Sequence, residues 1–231
     1  MENNNIQKLG GTCAILLGIS YLIIGLTYLL LPETQKGGTL LHESETFLLS
    51  LSQSPTLITI HHLVSGLSAL LGIAVVMGVL NFVHTLNEGW VRWMSYLGYL
   101  GFGVTAVDHF RILSIEPIRA ERFVGGDLST QSIIKTTNFF VSIDPHMWLS
   151  FGLVGVWVLV ISWLLLRKKV LSRLFGYIGI AIFVLYFLVE LGTVFKSELL
   201  ISVSAGLGAI ILAPIWYIWL GIIFRKDKVI S

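Results

Sequence analysis

Long apolar runs, separated by short polar stretches, occupy most of the chain. A helix needs roughly 20 apolar residues to cross the hydrocarbon of a bilayer. Six runs have that character, at about 10–31, 57–82, 92–114, 146–166, 173–195 and 199–224. They are continuous, whereas the strands of a membrane barrel would alternate in character over about ten residues. The pattern therefore predicts an all-α polytopic membrane helix bundle of six transmembrane helices in a single domain, 1–231. Proline marks some of the ends. The first span is expected to close at Leu31-Pro32 and the third at Glu116-Pro117, because proline cannot continue the ladder of backbone bonds. Pro214 lies inside the sixth span and predicts a kink there.

The connections between spans are unequal. About 25 residues join spans one and two and about 30 join spans three and four, while the turns on the other side are tight. Two stretches in the long connections are amphipathic: Glu43 to Leu51, and Thr130 through Phe139-Phe140. Both fit short helices lying in the interface of the membrane. Orientation follows from the basic residues. One side carries nine of them (Lys8, Arg92, Arg167, Lys168, Lys169, Arg173, Arg225, Lys226 and Lys228) and the other six (Lys36, Arg111, Arg119, Arg122, Lys135 and Lys196). The bias of Lys and Arg towards the cytoplasm counts most in short loops such as 167–173, which predicts cytoplasmic N and C termini. Trp90 and Trp93 at one end of span three and Trp148 at the start of span four read as interface anchors.

Glycine patterns recur along the chain. Leu9-Gly10-Gly11, Leu97-Gly98-Tyr99-Leu100-Gly101 and Phe175-Gly176-Tyr177-Ile178-Gly179 open the odd spans; Ser65-Gly66, Ser150-Phe151-Gly152 and Ser204-Ala205-Gly206 open the even ones. They are compatible with three repeated helical hairpins, but close packing of small residues between membrane helices explains them as well, and is the preferred reading.

Composition narrows the function classes. Charged residues make up 12% of the 231, about half the share of a soluble domain. The net charge of +2 is spread out, which excludes nucleic acid as a partner and leaves the lipid bilayer, a membrane-protein partner or a small ligand. Cys13 is the only cysteine, so no disulfide forms within the chain; it reads as a small buried hydrophobe. Gly10-Gly11-Thr12-Cys13 resembles a lipoprotein cleavage site, but its apolar stretch follows the cysteine, so the first run reads as a retained span.

The candidate chemistry lies in ionisable groups that share one side of the membrane. His61 and His62 stand near the outer end of span two. Asp108, His109 and Arg111 lie in the outer part of span three, Asp144 and His146 at the outer start of span four, and Glu190 roughly 8 Å inside span five. Such groups are costly in a membrane and each is a functional hypothesis. The sequence predicts their convergence from helices two to five on one outer pocket. A metal bound by His61, His109, His146 and Glu190, a haem held by paired histidines, or a proton or ion path would each use them. No His-Glu-x-x-His motif is present, and adjacent His61 and His62 point about 100° apart on a helix. The preferred reading is structural, a polar network that holds the bundle together: Asp108 pairs with Arg111 one turn away, histidine tips reach water, and Glu190 finds Arg111, His109 or a proton. Ser65, one turn from the histidines, is too thin a basis for a nucleophile, and neither a Gly-x-Ser-x-Gly elbow nor a phosphate-binding glycine loop occurs. Trp216, Tyr217 and Trp219, beyond Pro214, are candidates to line a small-molecule cavity, but aromatic packing towards the cytoplasmic interface is the preferred reading.

The glycine-led start Leu9-Gly10-Gly11 and the ending Ala213-Pro214-Ile215-Trp216-Tyr217-Ile218-Trp219-Leu220-Gly221 resemble a group of uncharacterised bacterial six-span proteins classed as a domain of unknown function. The resemblance implies a bacterial cytoplasmic membrane and transfers no site residue. The function classes it leaves are a non-enzymatic accessory, sensor or small-ligand-binding protein, a membrane enzyme or redox protein holding metal or haem in the outer cluster, and a small transporter.

Overall fold

The computed structural model describes residues 2–36, 45–136 and 142–226. Its helices are α1 (Glu2–Leu30), α2 (Glu45–Gln53), α3 (Thr56–Val83), α4 (Glu88–Gly125), α5 (Leu128–Thr136), α6 (Leu153–Arg167), α7 (Arg173–Val194), α8 (Glu198–Ala205) and α9 (Ala213–Arg225). Wide π-helical turns lead into α6 (Trp148–Gly152) and α9 (Gly206–Leu212). No strand occurs among the described residues. The chain is an all-α polytopic membrane bundle.

Five segments are long and apolar enough to cross a membrane: Asn5–Leu30, Thr56–Val83, Trp148–Arg167, Arg173–Val194 and Glu198–Arg225. The expected third span, 92–114, falls short of that measure, so five of the six expected spans are shown on length and apolarity. The region is nonetheless one continuous helix of 38 residues, α4, packed against α3 and α6. At 1.5 Å per residue α4 is about 57 Å long, nearly twice the roughly 30 Å of a hydrocarbon core. The expected stop at Glu116-Pro117 is also corrected, since α4 runs through Pro117 to Gly125. Tertiary contacts offset the bond that proline removes. Ala120 and Phe123, beyond the proline, are buried with Phe47, Leu48 and Leu51 of α2 and Ile134 of α5 in a small apolar core. The expected interruption at Pro214 takes the form of the π turn 206–212. A proline ring clashes with the carbonyl four residues earlier, here Ile210, which lies within that turn.

The amphipathic stretches form α2 and α5 over their described parts; residues 43–44 and 137–141 lie outside the described residues. Asp127 starts α5 by accepting the Thr130 amide at 2.8 Å. That hydrogen bond holds the exposed Asp127 carboxyl below the usual carboxylate range.

Glycine sets the distance between the long helices. A Cβ on Gly10 of α1 would stand 2.7 Å from the Gly78 Cα of α3, and one on Gly221 of α9 would stand 2.5 Å from the Gly11 carbonyl oxygen. Here α1 touches both α3 and α9 backbone to backbone, as small residues allow in membranes. Gly66 faces the Phe110 ring, and Gly72 receives the Phe102 ring. Most glycines of the recurrent patterns thus pack against a neighbouring helix, whereas a Cβ on Gly206 would meet nothing within 4 Å. At the centre Trp157, Phe175, Trp216 and Tyr217 are wholly buried, with Trp216 stacked on Phe175 at 5.0 Å. Outward, α1 leaves Leu16, Ile19, Leu22, Ile23 and Leu26 exposed, a face suited to lipid.

Gly78→Val should cost about 1–3 kcal/mol through overpacking against the α1 backbone, seen as a lower Tm in detergent. Gly103→Ala, whose Cβ meets nothing within 4 Å, should leave Tm unchanged or raise it. Because the Asp127 carboxyl titrates below its unfolded value, its cap is intact above the ordinary carboxylate range and is lost as pH falls through the lowered value. The protection of the Thr130 amide against exchange, relative to a free peptide at the same pH, should therefore fall in acid, and not in an Asp127→Asn variant.

Candidate functional site

The sequence alternates apolar and small residues through the first turns of α3, yet places two histidines there. Their divergence on the helix sends them to different neighbours. His61 reaches α1, where its Nδ1 lies 3.0 Å from Thr27 Oγ1. The Thr27 hydroxyl hydrogen is committed to the Ile24 carbonyl at 2.9 Å, so His61 Nδ1 is the donor. His62 reaches α4, where its Nδ1 lies 2.8 Å from His109 Nδ1. One ring is the donor and the other the acceptor, and the bond ties α3 to α4. The three rings form a chain, with centroids 5.4 Å apart for His61–His62 and 5.1 Å for His62–His109.

Beside His62 is a cleft between α2, α3 and α4. Its lining is Leu51, Ile58, Thr59, His62, Ile112, Leu113, Glu116 and Pro117. Its cavity volume is about 10 Å³, room for about one water molecule and far below the roughly 300–1,000 Å³ of sites for drug-sized ligands. Glu116 is buried and paired with Arg119 at 3.0 Å, and Arg119 also donates to the Ile134 carbonyl at 3.0 Å. The expected stop at Glu116-Pro117 leaves Arg119 beyond the helix, so this pair was missed in the sequence. Their spacing of three residues, one helical turn, was the available signal.

A second polar group forms where α6 begins. Asp144 Oδ2 accepts from the Leu149 amide at 3.0 Å, the Ser150 amide at 2.7 Å and the Ser150 hydroxyl at 2.8 Å. These bonds satisfy amides that a helix start leaves unpaired. Glu190 of α7 is 2% exposed and its Oε1 rests against Gly152, where a Cβ would collide with it. That oxygen has no hydrogen-bond partner among the described residues. Asp144 is the charged group within its electrostatic reach, in place of the expected Arg111 or His109. His146 joins this group through its backbone, its carbonyl accepting from Thr193 at 3.3 Å. Asp108 links the two groups: it accepts from the Ser142 hydroxyl at 3.0 Å and the Ile143 amide at 2.7 Å.

The expected single pocket is thus two clusters, His61, His62 and His109 on one hand and Asp144, His146 and Glu190 on the other. Arg111, half-buried on α4, lies one turn beyond Asp108. Among the described residues no three His, Cys, Asp or Glu side chains gather as a metal site would require. Two imidazole nitrogens on a tetrahedral zinc stand about 3.3 Å apart, given bonds of about 2.0–2.1 Å; the 2.8 Å between His62 and His109 is instead a hydrogen bond. Ser65 donates to the His61 backbone carbonyl at 2.7 Å and is not paired with an imidazole. Trp216 and Tyr217 are buried in the aromatic core and Trp219 packs edge-on against Phe175, so these cavity candidates are corrected to core packing.

Asp144→Ala should lower stability by about 1–2 kcal/mol, the range for a lost helix cap, and Asp144→Asn by less because one acceptor oxygen remains. Thermal unfolding in detergent checks both; equal Tm for all three proteins would overturn the capping role. No curated protein and no solved structure matches the chain. A family described as Domain of unknown function (DUF4386) matches residues 16–223, nearly the whole bundle from α1 to α9, and the chain belongs to that family.

Proposed function

We propose that this chain is a non-enzymatic sensor or small-ligand-binding protein of the membrane, with its site in the cleft between α2, α3 and α4. The observation that carries the reading is the position of His62, which lines the cleft and is hydrogen-bonded through Nδ1 to His109. An occupant bonded to His62 would compete with or reinforce that bond, and so act on the contact between α3 and α4. The cleft offers Thr59, His62 and Glu116 for polar atoms and Leu51, Ile58, Ile112, Leu113 and Pro117 for apolar ones. As it stands the cleft has room for about one water molecule, so a ligand of few atoms would widen it by moving α2, α3 or α4 apart. The hydroxyls near the histidines donate to backbone carbonyls, which favours binding over nucleophilic chemistry.

The reading also takes α4 as a sixth crossing, since it lies between α3 and α6, and puts both chain ends in the cytoplasm of a bacterium on the basic-residue bias. The clefted end then faces outward.

Protein purified in mild detergent should carry a small bound species in native mass spectrometry. Thr59→Trp, which overfills the cleft, should lose that species in protein that still folds, though at a lower Tm, and His62→Gln should hold it more weakly. Absence of any bound species from the unaltered protein would overturn the binding reading. A stoichiometric metal or a haem absorption band would move the site to the redox or enzymatic class.

A further inference from the structure

The turn between α6 and α7 carries a feature that neither the bundle nor the cleft uses. Arg167, Lys168, Lys169 and Arg173 fall within seven residues, and all four are exposed. From residue 145 to residue 189, which includes both flanking helices, the sequence has no Asp or Glu. No carboxylate pairs with any of the four among the described residues. Arg173 is the first residue of α7, whose first turn has no acidic residue. A cation there opposes the helix dipole, which favours negative charge at that end. Its presence, beside three further cations, is explained by an anion outside the chain.

The surroundings say which kind. One turn into α6 from Arg167 is Trp163, 43% exposed, with the guanidinium 5.3 Å over its ring. One turn into α7 from Arg173 is Tyr177, 59% exposed, and Leu174 beside it is 61% exposed. Cations thus crown an aromatic and apolar surface at the end of two membrane helices. Trp and Tyr favour the depth of lipid headgroups, and clustered Lys and Arg there attract anionic lipids. A soluble anion would use the cations and leave the apolar surface unused.

We infer that this turn is a binding surface for an anionic phospholipid, its phosphate held by Arg167, Lys168, Lys169 and Arg173 and its acyl chains lying along Trp163, Leu174 and Tyr177. The surface is separate from the cleft and does not rest on it.

The test titrates the full chain in neutral detergent with phosphatidylglycerol or phosphatidylcholine and reads bound lipid by native mass spectrometry. Phosphatidylglycerol should bind about tenfold more tightly. Arg167→Gln/Arg173→Gln should remove most of that preference, and Arg122→Gln/Lys196→Gln, an equal change of charge at the other side of the bundle, should keep it. If the first variant unfolds, Lys168→Gln/Lys169→Gln takes its place. Equal binding of the two lipids, or equal loss in both charge variants, would overturn the inference. So would displacement of the bound lipid by inorganic phosphate, which would mark a site for free anions.

Discussion

Close contact of backbones between α1, α3 and α9 is the constraint on which the rest of this bundle depends. Lipid tails are as apolar as leucine side chains, so helices in a membrane gain little by hiding apolar surface from them. Their association rests on dispersion at short range, and Gly10 against Gly78 and Gly11 against Gly221 provide it. These contacts lock the first helix to one early neighbour and to the last, and so close the chain. They also fix the height of α1 on α3, and at the other end of the same pair Thr27 arrives opposite His61. Gly66 and Gly72, against Phe110 and Phe102, fix the height of α3 on α4 in the same way and bring His62 to His109. The glycines are far from the histidines in sequence, but they set the register in which those histidines meet.

Polar groups gather at one end because an unpaired polar atom costs most deep in the hydrocarbon. Near the membrane surface most found a partner on another helix or on the chain just beyond it, while Glu190 Oε1 has none among the described residues. The bonds from His61 to Thr27 and from His62 to His109 cross helix pairs, and those of Asp108 and Asp144 organise the segment 142–150. Measured interhelical hydrogen bonds in membranes average about 0.6 kcal/mol, so these contribute less to stability than the glycine contacts. Their worth lies in geometry. They hold titratable side chains in defined pairs at the rim of a cleft, where the ligand we propose would act on them.

Much of the bundle was legible in the sequence because membrane helices must be long, continuous and apolar; the segments around Leu17, Val76, Val158, Ile182 and Leu220 could be nothing else. Prolines were less reliable guides. At Leu31-Pro32 the helix ends as expected, but at Pro117 the packing of Ala120 and Phe123 against α2 carries it onward, a tertiary effect that no local rule contains. The divergence of His61 and His62 followed from helical geometry alone. Which helix each would meet did not, because that depends on the order of neighbours around the bundle. Glu190 was conspicuous as a buried carboxyl, while its contact with Gly152 could be learned only from the turn that brings α6 beside α7.

The helix that departs from the apolar pattern is the one that bears the site. Along α4 the exposed side chains Trp93, Tyr96, Leu100 and Val107 can face lipid, while Ser95, Gly98 and Gly101 are turned inward. Asp108, His109 and Glu116 are shielded by α3, by α2 and by the segment that leads into α6. A helix can carry that many polar residues at membrane depth only when neighbours cover them. The same residues that lower its apolarity make the bonds to α3 and to residues 142–143, and its last three turns build the apolar core with α2 and α5. The stretch of α4 from His109 back to Trp90, a rod about 28 Å long, therefore runs from the cleft toward the opposite end of the bundle. Any change in the bond between His62 and His109 acts on one end of that rod, and the other end lies beside the exposed pair Trp90 and Trp93. That continuity is the physical route by which an event at the cleft would reach the far side of a membrane.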